Sequence, residues 1–196
     1  MTKRITDLIW FAVVAAIVTG CASPASRFYT LSSTAKATGA PTAQYAVLVG
    51  PVTVPALVDR PQFTIQVATN RVSLDEYNRW AAPLSESIAR VITADLSVLL
   101  GTPRVATAPL ANFDSTYRVT VDIQRFESKP NEAAVIEAMW VVRRSAGGAA
   151  RSGHTVAREA TQGADSDALA AAHSRALAKV SADIAAAIRA EAEVKP

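Results

Sequence analysis

Apolar and polar positions alternate through much of the chain, and the alternation predicts strands. The run from Tyr45 to Pro55 is continuous and rich in β-branched residues, which indicates a buried strand. Pro51 lies near its centre and lacks a backbone N–H, so we expect a bulge or a sheet edge there. A second alternation on both sides of Thr69 and Asn70 predicts a hairpin. Its apolar positions are Phe63, Ile65, Val67, Val72 and Leu74.

The apolar period changes to that of a helix in two places. Residues 82–101 form the first predicted helix, which Gly101 and Pro103 end; its apolar face is Leu84, Ile88, Val91, Ile92 and Leu99. An alanine-rich helix closes the chain, with Asp165 or Ser166 as candidate N-cap; its apolar stripe is Leu169, His173, Leu177, Val180, Ile184 and Ile188. Between the helices, residues 117–126, 133–144 and 151–160 are predicted strands.

Strands, a helix, three strands and a final helix indicate an α+β fold. The strands can pair as hairpins, so we expect a two-layer sandwich in which two helices cover one face of a mostly antiparallel sheet. Residues 45–196 would form this single domain. Residues 22–44 are rich in Ser, Thr, Ala, Pro and Gly and predict a flexible tether. Within the tether, Arg27 to Leu31 could form a short strand.

The first 20 residues have the pattern of a signal peptide. Lys3 and Arg4 precede an apolar run from Leu8 to Val18, which is shorter than the roughly 20 residues of a membrane span. The next residues, Val18 to Cys21, resemble the lipobox of bacterial lipoproteins. That resemblance implies that Cys21, the only cysteine of the chain, becomes the lipidated first residue of the mature protein. A free structural thiol is the alternative.

Composition narrows the possible functions without naming one. The 196 residues contain 20 Lys and Arg against 17 Asp and Glu, and no basic cluster that would predict nucleic-acid binding. Phosphate-binding loops, dinucleotide motifs and nucleophile elbows are missing from the sequence. His154 and His173 are the only histidines, which is too few for a zinc site of histidines and cysteines. We therefore expect no catalytic site, no metal ion and no cofactor.

The segment from Val58 to Gly101 holds the most distinctive residues. Asp59 and Arg60 lie between an apolar approach and Pro61, so they could lock a corner of the chain or be recognised by a partner. Trp80 directly precedes the predicted helix. It is either a core residue under the helix or an aromatic anchor at an interface.

The order of these motifs resembles the PqiC (YmbA) family of ABC-type transport auxiliary lipoproteins. The signal and lipobox are followed by "RFYTL", "GPVTVPALVDRP", "NRVSLDEYNRWAAPL" and "LSVLLG". The motifs that distinguish the family correspond here to Asp59, Arg60, Pro61, Asn70, Arg71 and Trp80. The resemblance covers nearly the whole mature chain and implies no catalytic centre.

What the resemblance implies is a non-enzymatic subunit beside an MCE-type lipid transporter. The protein would be anchored through Cys21 in the outer membrane, face the periplasm and dock the MCE component that spans it, supporting envelope integrity. Asp59, Arg60, Pro61 and Trp80 are candidate docking residues, and a homo-oligomer is possible. Ala22, rather than Asp, follows the lipidated position, and resemblance to enterobacterial lipoprotein sorting implies the outer membrane. A lipid-binding carrier and an envelope hydrolase remain alternatives; the carrier needs an apolar cavity, and the hydrolase needs a nucleophile beside a histidine.

Overall fold

The computed structural model describes residues 24–37, 39, 42–148 and 150–193; the signal peptide and Cys21 lie outside them. Ten elements follow one another in this part of the chain. They are β1 (Arg27–Tyr29), β2 (Val47–Thr53), β3 (Gln62–Ala68), β4 (Arg71–Trp80), α1 (Leu84–Leu100), β5 (Val105–Thr107), β6 (Tyr117–Lys129), β7 (Ala133–Arg144), β8 (Ala150–Ala160) and α2 (Ser166–Glu193).

The strands form one mixed sheet organised around β6. One edge of β6 pairs with β7, which pairs with β8, and both long pairings are antiparallel. Along its other edge, β6 pairs in parallel with β2 and, at Ser128, with Ile65 of β3. The hairpin of β3 and β4 is antiparallel, as its pattern predicted. The register shift expected at Pro51 occurs between Val49 and Val52. The α+β fold class is confirmed, although four shorter pairings are parallel.

Both helices lie against the sheet with the faces that the sequence predicted. Every residue named above for the two apolar faces is buried. Gly101 ends α1 in the left-handed conformation, with φ of 64°, and its N–H bonds back to the last turn. Asp165 caps α2 by accepting a hydrogen bond from the Ala168 N–H at 2.8 Å. Among the described residues, neither helix has the length and hydropathy needed to cross a membrane.

Part of the predicted tether is packed on the domain. β1 pairs in parallel with the end of β4, with Tyr29 opposite Trp80. The chain then crosses the helices, where the Ser33 hydroxyl and the Ala35 N–H donate to Asp95, a fully buried residue of α1. Ser181 of α2 donates to the same carboxylate at 3.0 Å. The segment from residue 27 to 35 is thus held by both helices, which its Ser- and Thr-rich composition did not indicate.

Candidate functional site

The residues predicted for docking meet at one corner of the sheet. The turn before β3 is built from backbone hydrogen bonds: the N–H groups of Val58 and Asp59 donate to the Pro55 carbonyl, and that of Arg60 donates to Val58. Pro61 then places its carbonyl 2.6 Å from the backbone nitrogen of Trp80, the last residue of β4. The turn that holds Asp59 and Arg60 therefore lies beside the end of β4.

The charged pair at this corner does not hold the corner together. Within the described residues, Asp59 and Arg60 form no ion pair with each other or with another side chain. The Arg60 Nε atom is buried and has no hydrogen-bond partner in this part of the chain. A buried donor without an acceptor is unfavourable, by about 1–3 kcal/mol in typical cases. Backbone hydrogen bonds therefore fix the turn, without a contribution from the side chains of Asp59 and Arg60 among the described residues.

A pocket of about 370 Å³ opens at the corner. Its walls are formed by the charged turn on one side and by the entry into α1 on the other. That entry begins at Pro83, which caps α1 without any side-chain hydrogen bond. The complete lining, here called the corner pocket, is Asp59, Arg60, Pro61, Trp80, Ala81, Ala82, Pro83 and Leu84. The pocket thus combines apolar walls with one acidic and one basic side chain.

Trp80 forms the floor of the corner pocket but belongs to the core. Its side chain is only 5% exposed. Its ring stacks on Phe63 with centroids 4.0 Å apart and meets Phe126 edge to face at 6.0 Å. Of the two roles considered for Trp80, the structure therefore shows that of a core residue. The pocket is completed by the four residues after Trp80, which are Ala81, Ala82, Pro83 and Leu84. Of these, only Leu84 was predicted to matter, as part of the apolar face of α1.

The other residues of the motifs shared with the PqiC family either lie away from the corner pocket or contact other parts of the fold. Asn70 and Arg71 are exposed at the turn of the β3–β4 hairpin, at the opposite end from the corner pocket. Asn78, two residues before Trp80, accepts a hydrogen bond from the Tyr29 hydroxyl and donates to Asp75 at 2.7 Å. The structure therefore brings together only Asp59, Arg60, Pro61 and Trp80.

One histidine does lie beside a hydroxyl, as the hydrolase alternative requires. His173 Nε2 is 2.9 Å from the Ser128 Oγ atom. Both residues are buried, the His173 Nδ1 atom has no partner among the described residues, and its ring stacks on Phe126 at 3.8 Å. Burial lowers the pKa of His173 to about 3. A serine protease histidine needs an orienting carboxylate and an open approach for substrate, so this pair has the geometry of a core contact.

The remaining candidates for chemistry are separated from the corner. His154 lies on the face of β8 that the helices leave open, half exposed, with Nε2 2.9 Å from Glu137. Among the described residues, no three His, Cys, Asp or Glu side chains are grouped as metal ligands. Between sheet and helices, Leu169, Leu177 and Ile184 are at most 1% exposed. This close packing gives the lipid-carrier alternative no support.

Comparison with known proteins identifies relatives of the whole domain. A family model described as "ABC-type transport auxiliary lipoprotein component" matches residues 29–185. That range includes the corner pocket, all of α1 and the first 20 residues of α2. No curated protein sequence matches the chain.

Solved structures show the same fold. A Xanthomonas campestris protein assigned to the DUF330 family is 20% identical, with a TM-score of 0.68, covering 81% of this chain and 92% of that one. A second, described as an uncharacterized protein, is 22% identical, with a TM-score of 0.70 and coverages of 84% and 99%. At these identities the likeness extends to the fold alone.

Proposed function

The chain belongs to the family of ABC-type transport auxiliary lipoprotein components, as the resemblance to PqiC predicted, and from this premise we propose that it is the outer-membrane docking subunit of an MCE-type lipid transporter. Lipidated Cys21 would hold the protein in the outer membrane with the domain in the periplasm. The corner pocket would receive the MCE component that spans the periplasm. The subunit has a binding role and no catalytic one, and the ATPase of the transporter supplies the energy.

The observation that supports docking at the corner is that the charged side chains of Asp59 and Arg60 form no ion pair among the described residues. A charged pair kept for the fold would be expected to bond to the turn or to itself, yet the turn is closed by backbone groups. Arg60 is partly exposed at the corner, and its guanidinium could donate to a carboxylate or carbonyl of a partner that covers it. Interface energy concentrates in such partly desolvated arginines surrounded by apolar contacts.

The apolar surroundings of the corner pocket fit the same role. Pro61, Pro83 and the two alanines between β4 and α1 are rigid or small, so little side-chain entropy is lost when a partner covers them. Trp80 supports this surface from below and is held by Phe63. Because Trp80 fills the core, its removal would disturb the fold, and it is unsuited to a test of docking.

The test is capture of the lipidated protein from detergent-solubilised membranes, with proteins and lipids identified by mass spectrometry. We expect the wild-type chain to recover an MCE-domain protein and the double variant Asp59→Ala/Arg60→Ala to recover at least tenfold less, a difference of about 1.4 kcal/mol. The matched control is Glu132→Ala/Arg158→Ala, which removes an exposed ion pair elsewhere on the sheet. Neither double variant should unfold at lower urea than the wild type, because backbone hydrogen bonds close the turn and the control pair is exposed.

Three outcomes would count against the proposal. Equal loss of capture in the control would show that the corner has no special part. Unchanged capture with Asp59 and Arg60 replaced would place docking elsewhere. Recovery of stoichiometric lipid with no MCE-domain protein would favour the carrier function instead.

A further inference from the structure

We propose that the domain rests on the bilayer through one defined surface, the anchor face, formed by Arg27, Phe28, Lys36 and the adjoining outer side of α2. This inference rests on the lipidation of Cys21 that is part of the proposed function. The anchor face would contact the lipid headgroups of the membrane in which the protein is anchored.

Chain length brings this face close to the bilayer. Pro24 follows Cys21 by three residues and Arg27 follows it by six. A fully extended chain spans at most about 3.6 Å per residue, so Pro24 lies within about 11 Å and Arg27 within about 22 Å of the lipidated residue. The start of β1 therefore cannot move further from the membrane than this.

The segment after Arg27 cannot lengthen the tether while the domain is folded. Tyr29 is buried and pairs with Trp80. The Ser32 N–H donates to the Ser174 hydroxyl at 3.1 Å, and the Ser33 hydroxyl donates to Asp95 at 2.6 Å. Since both acceptors belong to the helices, the free length ends at β1. The side of the domain that carries β1 is therefore the side held nearest the bilayer.

An exposed aromatic ring occupies that side. Phe28 is 65% exposed, whereas its neighbour Tyr29 is buried in the core. Beside it, a shallow groove of about 690 Å³ runs between the N-terminal segment and α2, with Ala170, Ala171 and Ala178 on the helix side. An aromatic side chain at the level of the lipid headgroups is stabilised by its apolar ring. An isolated exposed phenylalanine in water has no such compensation.

The charge of the anchor face suits a bilayer that contains anionic lipid. Arg27 and Lys36 are exposed, and within the described residues neither forms an ion pair. The Glu159 carboxylate forms ion pairs with Arg175 Nε at 3.1 Å and with Lys179 Nζ at 2.5 Å. Asp167 is the remaining acid of the groove. Four basic against two acidic side chains leave a positive surplus, which anionic headgroups attract.

The experiment uses the lone cysteine of the chain. Lipidation consumes Cys21, so Phe28→Cys introduces a single free thiol that can carry an environment-sensitive fluorophore. The matched control is Val156→Cys, 54% exposed on the face of β8 that the helices leave open. Both lipidated proteins are reconstituted in phosphatidylethanolamine vesicles containing phosphatidylglycerol, with and without a spin-labelled lipid that quenches at headgroup depth.

We expect blue-shifted emission and several-fold stronger lipid quenching at position 28 than at position 156. Equal quenching at the two positions overturns the inference. A blue shift at position 28 without lipid quenching also overturns it, since the fluorophore would then be covered by protein, such as a second copy. Intact mass of the wild type and of Cys21→Ala reports lipidation separately. Absent lipid on the wild type would contradict the proposed function itself, whereas a lipidated but unquenched label contradicts only the anchor face.

Discussion

At the scale of single residues, two buried ionisable groups respond to pH in opposite directions. Burial lowers the pKa of His173 to about 3, because the core desolvates the charged imidazolium. Burial raises the pKa of Asp95, although hydrogen bonds from Ser33, Ala35 and Ser181 partly compensate. Both groups are thus placed where the uncharged form is favoured. Neither effect could be foreseen from the sequence, in which His173 is one position of an apolar stripe.

These shifts predict how stability depends on pH. The unfolded chain takes up a proton at His173 near pH 6.5 and the folded chain does not, so the contribution of His173 is complete above pH 6.5 and is lost as pH falls. The free energy of unfolding should decrease by up to about 1.4 kcal/mol per pH unit below that value. For Asp95 the sign is reversed: its contribution is lost as pH rises from 3.8 through the raised folded pKa. At pH values above the folded pKa, Asp95 no longer makes the free energy of unfolding depend on pH.

Urea unfolding between pH 5 and pH 7.5 measures the effect. His173→Gln should lower stability at pH 7.5, because the stack on Phe126 is lost, but should flatten the decline below pH 6.5. His154→Gln is the matched control, since it replaces a half-exposed histidine outside the core. A slope that persists in His173→Gln and disappears in His154→Gln would contradict the assignment.

At the scale of elements, periodicity predicted most of the structure and missed what depends on distant residues. Local patterns predicted strands β6, β7 and β8 and both helices, because one face of each element is buried. The parallel pairing of β2 with β6 does not, since it joins strands about 70 residues apart. The hydrogen bonds from Ser33 and Ala35 to Asp95 were not predicted for the same reason: a Ser- and Thr-rich segment has no apolar period.

The corner pocket shows the same division at the candidate site. The sequence indicated Asp59, Arg60 and Pro61 as an unusual turn and Trp80 as an unusual aromatic residue. Their meeting depends on a backbone hydrogen bond between Pro61 and Trp80, which the hairpin register creates. Whether Trp80 packed in the core was undecidable from its neighbours in sequence, because Phe63 and Phe126 reach it from other strands.

One glycine determines how closely β8 can pack against β7. A Cβ atom at Gly153 would lie 2.1 Å from the ring of Trp140, whose Nε1–H donates to Thr155 at 3.0 Å. The ring therefore occupies the space of the missing side chain. Gly153→Ala should lower the free energy of unfolding by about 1–3 kcal/mol, as overpacking usually does. Gly163→Ala is the control, because the nearest atom to its Cβ lies at 3.4 Å. Equal stability of the two variants in urea unfolding would contradict this account of the β7–β8 packing.

At the scale of the whole molecule, anchoring and folding are separable. Every contact that fixes the N-terminal segment begins at or after β1, whereas the proposed anchor is residue 21. Among the described residues, the core lies between the sheet and the two helices and begins at Tyr29. Replacing residues 1–21 by a cleavable signal peptide without a lipobox should therefore release a folded protein.

We expect this unlipidated protein in the soluble periplasmic extract, with an unfolding midpoint in urea unchanged from that of the lipidated form in the same detergent. The docking variant Asp59→Ala/Arg60→Ala should behave in the opposite way, remaining in the membrane fraction while losing its partner. Anchoring would then set the local concentration at the membrane, and the corner pocket would set recognition. An unlipidated protein that stays in the membrane fraction would show that the domain has a second attachment. If that attachment disappears with Phe28→Ser, the anchor face alone binds the bilayer; if it persists, the attachment is to another membrane protein.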